Sequence, residues 1–168
     1  NFDASRSQRR IWNKNKDLSA EETPAVATQE QYIMFSRYQR HRHGDGDMSR
    51  MDFSDYQALI EDTPVETTLL EFRDSKGCLV AACLTDMMET GLSAVYSFFD
   101  PELQGRSLGT YMILWLIERA RSLDLTHVYL GFWIAESSKM AYKAKFQPIE
   151  IKRSDGWFMF EHAPKSSV

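Results

Sequence analysis

The spacing of apolar and polar positions divides the chain into helical and extended stretches. Thr28-Gln29-Glu30-Gln31 has the form of a capping box, and Tyr32, Phe35 and Tyr38 recur behind it at helical spacing. This predicts a helix whose aromatic face meets a core. It runs into Arg40-His41-Arg42-His43 and is broken at Gly44-Asp45-Gly46-Asp47. A second helix is expected over 52–61, ending before Pro64, because the residue ahead of a proline leaves the helical region. Three apolar runs follow, at 67–74, 78–88 and 92–99. Ser75-Lys76-Gly77 and Glu89-Thr90-Gly91 separate them, which predicts an antiparallel meander joined by hairpin turns. After Asp100-Pro101 the character changes. Residues 104–109 read as a loop, and a helix is expected over 108–122, where Leu108, Met112, Leu116 and Ile113, Ile117, Ala120 form a wide apolar stripe. A buried strand at 127–134, a short helix at 137–146 and a last strand at 157–160 complete the order. These elements predict an α+β fold with a mixed, mostly antiparallel sheet and flanking helices, one domain over 1–168.

Composition narrows the classes. At 168 residues and 43% hydrophobic, the chain has the size and content of one globular core. No apolar run approaches the ~20 residues that span a bilayer, and the first ten residues lack the pattern of a secretory signal. No membrane association and a cytoplasmic location are expected. The chain opens without Met and in mid-pattern, as expected of a piece of a longer protein. Its cysteines are Cys78 and Cys83, whose odd spacing in a strand puts them on opposite faces. Two buried, reduced thiols are expected, and no metal site. His127, at the start of a buried strand, and His162 have no sequence partner that suggests a ligand set.

A net charge of −4 argues against a generic nucleic-acid binder. Two local clusters run against that balance. Residues 1–16 carry Arg6, Arg9, Arg10, Lys14 and Lys16 against Asp3; residues 139–153 carry Lys139, Lys143, Lys145, Lys152 and Arg153 against Glu150. Solvated faces explain such clusters as well as ligand contacts do. Trp115, within the long helix, reads as packing, and Trp133 as either packing or base stacking.

Two features point to chemistry. Gln104-Gly105-Arg106-Ser107-Leu108-Gly109 leads from a strand end into a helix, where unpaired backbone N–H groups and the positive dipole end suit a phosphate. This order resembles the pyrophosphate loop of GCN5-related acetyltransferases, with Gly109 at the last position of the motif and Ser107 where the first glycine would stand. An ordinary helix N-cap at Ser107 is the competing reading. Met140-Ala141-Tyr142-Lys143-Ala144-Lys145-Phe146 resembles the short helix on which those enzymes carry a proton-donating tyrosine, with the family's following glycine missing.

The ordered series of motifs is more specific than either. It comprises Ser5-Arg6-Ser7-Gln8-Arg9-Arg10, Ser36-Arg37-Tyr38-Gln39-Arg40-His41-Arg42-His43, Ser93 through Pro101, Ser107-Leu108-Gly109-Thr110-Tyr111, Tyr129-Leu130-Gly131-Phe132 and Met140 through Pro148. Together they resemble the C-terminal domain of the aminoacyl-tRNA–protein transferases, from about Phe2 to Trp157, and more the compact bacterial aspartate/glutamate leucyltransferases than the eukaryotic arginyltransferases. The family's cysteine-rich N-terminal region is not in this chain. The resemblance implies an enzyme without a resident cofactor. It uses aminoacyl-tRNA as co-substrate and moves an amino acid (Leu favoured, Arg possible) onto proteins with N-terminal Asp or Glu, marking them for N-end-rule degradation.

Roles follow as expectations. Tyr142 would protonate the leaving ribose oxygen and Lys143 stabilise the oxyanion or pair with the acceptor's acid, with Tyr96 and Asp100 as further catalytic candidates at a strand end facing the cleft. Arg37, Arg40, His41, Arg42 or His43 would read the acceptor carboxylate. Gln104, Gly105, Arg106, Ser107, Leu108 and Gly109, with Arg6, Arg9 and Arg10, would hold the tRNA. Two alternatives stay open: a CoA-dependent N-acetyltransferase and a non-catalytic tRNA-binding module. The sequence leaves the oligomeric state and the general base open.

Overall fold

The computed structural model describes residues 2–44, 46–134, 136–137 and 140–160, His43 by its backbone alone. Helix α1 (Arg6–Lys14) begins the chain, capped by the Ser5 hydroxyl on the Gln8 amide. The sequence marks this segment as a basic cluster and a motif but not as a helix; Ile11 and Trp12 give it an apolar stripe that packs on the core. Strand β1 (Ser19–Pro24) follows. Helix α2 (Gln29–His43) starts at the expected capping box, with both reciprocal bonds between Thr28 and Gln31 formed. Helix α3 (Phe53–Glu61) is capped by Asp52.

The meander forms as its turns dictate, as β2 (Thr67–Arg73), β3 (Leu79–Met88) and β4 (Gly91–Phe99). At the β2–β3 turn Gly77 has φ +80°, and the Asp74 carboxylate accepts from the Lys76 and Cys78 amides, each at 2.9 Å. A 3₁₀ turn (Pro101–Arg106) leads into α4 (Leu108–Ser122), and the crossover returns as β5 (His127–Tyr129). The sheet order is β1-β2-β3-β4-β5, antiparallel throughout except for the parallel β4–β5 pair. Gly91 permits that pairing, since a Cβ there would lie 2.3 Å from the His127 carbonyl oxygen.

Both faces of the sheet are covered, which is why β2 and β3 read as nearly continuous apolar runs. On one face Leu70, Phe72 and Leu92 meet α4 through Leu108, Tyr111, Met112 and Leu116, with Trp115 packed alongside as expected. On the other, Leu69, Leu84 and Phe98 meet Met34, Phe35 and Tyr38 of α2 and Tyr56 and Ile60 of α3. The register between β3 and β4 slips by one residue, from Leu84↔Tyr96 to Thr85↔Ala94, so Val95 is extra. This bulge reverses the faces of β4: Leu92 and Ala94 pack on the α4 side, but Tyr96 and Phe98 pack on the α2 side.

Four expectations are corrected. The strand expected over 127–134 ends at Tyr129: β5 pairs only with Gly91, Leu92 and Ser93 of β4, and Gly131 has φ +69°. The short helix expected over 137–146 is a 3₁₀ turn, Ala141–Lys145, with no side-chain cap. The last strand, expected over 157–160, forms, but outside the main sheet. It pairs as β7 (Gly156–Met159) with β6 (Glu150–Arg153) in a hairpin of its own. Cys78 is exposed because it lies in the turn ahead of β3, while Cys83 is buried and its thiol is pushed up to about 11 by desolvation. His127 is likewise exposed, since β5 is an edge strand. His162 and Lys139 lie outside the described residues.

Candidate active site

Beyond Ser93, β4 leaves β5, and the start of α4 lies against the opening. Here the end of α2, the end of β4, the 3₁₀ turn and the Ala141–Lys145 turn enclose a cavity of about 480 Å³. Tyr38, His41 and Arg42 line it from α2, one face at helical spacing. Ser97 and Phe99 line it from β4, which the bulge at Val95 turned to this side. Gln104, Ser107, Leu108, Gly109 and Thr110 form a further wall, and Tyr142 closes the cavity.

The helix start resembles an anion site in more than sequence. Ser107 takes φ +54°, the left-handed region that glycine prefers, at a cost of about 1–2 kcal/mol. Ser107 stands at the N-cap, yet its hydroxyl makes no cap bond. The first amides of α4 therefore lie at the cavity wall without a side-chain acceptor.

The phenols here are held in their protonated form. Burial raises Tyr38 to about 12 and raises Tyr142 and Tyr96, against the smaller opposing effect of the Arg42 charge on all three. His41 Nε2 lies 2.9 Å from Gln104 Nε2, a contact that joins α2 to the 3₁₀ turn.

The structure thus brings seven of the expected residues to one cavity: His41, Arg42, Gln104, Ser107, Leu108, Gly109 and Tyr142. The His43 side chain lies outside the described residues, and the remaining candidates do not line this cavity. Arg37 bridges Asp100 at 3.3 Å and Glu102 at 3.0 Å, fastening α2 to the 3₁₀ turn, and Asp100 also accepts from the Glu102 amide. Tyr96 turns beneath α2, where its hydroxyl accepts from Gln39. Arg40 is exposed on the far side of α2. Lys143 faces away from Tyr142. Its ammonium donates to the carbonyls of Leu130 at 2.6 Å and Phe132 at 2.8 Å, in a separate, mostly apolar cavity of about 1230 Å³ between α4 and the β6–β7 hairpin. Trp133 lines that second cavity and packs edge-on against Phe160. Desolvation lowers the Lys143 pKa.

Arg106 is tied back to α1. It donates to Asn15 Oδ1 at 2.9 Å and the Lys14 carbonyl at 3.2 Å, and it pairs with Asp17. Lys14 in turn donates to the Gly105 carbonyl at 2.6 Å, and Asn15 Nδ2 to the Arg106 carbonyl at 2.9 Å. At the other end of α1, buried Gln8 donates to the Lys145 carbonyl at 3.2 Å. The helix therefore holds both turns that wall the cavity. Arg6, Arg9 and Arg10 are exposed on its outer side. Sequence reasoning missed Tyr38, Ser97, Phe99 and Thr110. Tyr38 packs in the core as its spacing predicts, and it also reaches the cavity on the helix face it shares with His41 and Arg42.

This architecture is the GCN5-related acetyltransferase fold. The ribosomal-protein-S18-alanine N-acetyltransferase from Escherichia coli superposes with a TM-score of 0.58 over 90% of this chain and 99% of that one, at 12% identity. The sequence is more specific: the family described as arginine-tRNA-protein transferase, C terminus, matches residues 30–153, and the chain belongs to it. It is 54% identical to the aspartate/glutamate leucyltransferase of Paramagnetospirillum magneticum and 53% identical to that of Rhodospirillum rubrum, over 95% of this chain in each case. The chain spans 65% of the length of each of these relatives.

Proposed function

We propose that the protein transfers a leucyl group from aminoacyl-tRNA to the α-amine of proteins that begin with Asp or Glu, marking them for degradation by the N-end rule. The observation that carries this reading is the cavity itself. Arg42 faces a helix start without a side-chain cap across a protonated phenol, in a chain about half identical to proteins named for that activity. The reaction exchanges an ester for an amide and needs positioning, an oxyanion partner and two proton movements.

Backbone amides at Leu108 and Gly109, favoured by the α4 dipole, receive the 3′-terminal phosphate groups of the tRNA. Arg42 pairs with the acceptor carboxylate. Tyr142, kept neutral by burial, protonates the departing ribose oxygen. Arg6, Arg9 and Arg10 contact the tRNA backbone. Among the described residues that line the cavity there is no Asp or Glu, so it supplies no counter-charge for an arginyl side chain and suits an apolar donor. No helix among the described residues is long and apolar enough to cross a membrane, in keeping with a soluble co-substrate.

The test mixes full-length protein with leucyl- or arginyl-tRNA and peptides that begin with Asp, Glu or Ala, and reads products by mass spectrometry. A gain of one Leu on the Asp and Glu peptides alone is expected. Acetylation from acetyl-CoA with no aminoacyl transfer would overturn the reading.

A further inference from the structure

Aminoacyl transfer needs a base, because an N-terminal amine arrives as an ammonium. We propose that His41 is the general base that deprotonates this ammonium. The inference rests on the aminoacyl-transfer reading above.

Elimination inside the cavity leaves one candidate. Among its described lining groups, Arg42 carries a guanidinium, which donates hydrogen bonds and has no acceptor site. Tyr38 and Tyr142 are phenols that burial holds neutral, hence acids. The hydroxyls of Ser97, Ser107 and Thr110 and the amide of Gln104 do not accept a proton near neutrality. The His41 imidazole remains, a side chain whose ring nitrogen can accept a proton.

Its geometry fits the task. Nε2 of His41 faces the amide nitrogen of Gln104 at 2.9 Å, and an amide nitrogen only donates, so the ring nitrogen there is the acceptor. The lone pair already takes an N–H at the cavity wall, and a substrate ammonium displaces Gln104 from it. The charges around the ring are arranged with it. Arg42 follows it on α2, Arg40 precedes it on the exposed side, and Arg37 is engaged by Asp100 and Glu102. Arg106 in the 3₁₀ turn is engaged by Asp17, and Tyr142 faces it from the closing turn. A ring beside Arg42 puts the amine next to the group that reads the acceptor's carboxylate. His41 is solvent-exposed, so the proton it takes passes to water.

The proton account closes. His41 removes one proton from the ammonium, and the free amine adds to the ester carbonyl. As the carbon–oxygen ester bond breaks, Tyr142 protonates the ribose oxygen and recovers a proton from the new amide nitrogen. The products are amide, ribose hydroxyl and one proton released from His41.

The test compares full-length wild type with His41→Gln and His127→Gln, in leucyl transfer to an Asp-initiated peptide from pH 5.5 to 9.5. Near-UV circular dichroism and leucyl-tRNA binding check that the variants fold. In wild type kcat/KM is expected to fall at the acid end of this range. At pH 7 about a tenth of an α-amine with pKa about 8 is already neutral, so His41→Gln is expected to lose about 10-fold. Its remaining rate should rise only as the α-amine itself loses its proton, so that the deficit shrinks at high pH. Added imidazole should restore part of the rate at pH 7. His127→Gln, on the exposed edge strand, should keep the wild-type profile. A His41→Gln profile parallel to wild type would overturn the assignment, as would loss of the acid limb in His127→Gln instead. Wild type that transfers no leucine at any pH would overturn the underlying reading, and this assignment with it.

Discussion

Helices α1 and α2 carry the two most basic motifs of the chain, and they use them in opposite ways. From α2, Tyr38, His41 and Arg42 enter the cavity. From α1, no side chain enters it. Instead Gln8, Lys14 and Asn15 bond to backbone carbonyls of Lys145, Gly105 and Arg106, holding the two turns between which Tyr142 and the start of α4 meet. One helix supplies chemistry, and the other sets the distance across which it acts. The difference teaches that a basic motif is not by itself a ligand contact. Arg106, beside the same cavity, is turned to α1 by its bonds to Asn15 and Asp17, whereas Arg42 lines the cavity.

The comparison can be broken most sharply at Tyr142. Tyr142→Phe should lower kcat about 100- to 10,000-fold with little change in KM, as expected for loss of a general acid. A variant with full rate in single-turnover transfer would place the proton donor elsewhere. Arg42→Gln comes next. Loss of a hydrogen bond between charged groups costs about 1.5–3 kcal/mol, so kcat/KM for Asp-initiated peptides should fall about 10- to 150-fold. The same variant should discriminate less between Asp and Asn acceptors, measured in competition, because it no longer pairs with the carboxylate.

On α1 the effect should appear first as stability. Asn15 is fully buried and bonds Ile11, Arg106 Nε and the Arg106 carbonyl. Asn15→Ala should therefore cost about 1–3 kcal/mol in denaturant unfolding, with kcat falling alongside as the loop loosens. A loss of stability with unchanged kcat would deny α1 its role in setting the cavity. The smallest effect belongs to the outer face. Replacing Arg6, Arg9 and Arg10 with Gln should leave folding and kcat intact and reduce the salt dependence of tRNA binding by about 2–3 units of slope. An unchanged slope would make that face merely solvated.

Much of the scaffold was legible because local rules dictate it. The Thr28 capping box, the turn at Gly77 and the stripe Leu108-Met112-Leu116 each act within a few residues, and each formed where the spacing put it. Much of the site was legible through the motif series, since seven of its expected residues line one cavity. The C-terminal third was less so. A strand at 130–134 needed a partner that β4 does not offer there, and sequence periodicity does not report partners.

By itself, then, the sequence determined the capped helix α2, the meander with its turns, the long helix α4 and the family, because these depend on near neighbours in the chain and on ordered motifs. Only the tertiary structure decided that one extra residue, Val95, would turn Ser97 and Phe99 to the cavity and Tyr96 away from it. It also decided that adjacent Tyr142 and Lys143 would face different cavities, and that α1 would brace a loop some ninety residues distant. Those outcomes depend on which backbone groups meet across the sheet and between distant turns, and neither side of such a contact carries its partner's position in its own local spacing.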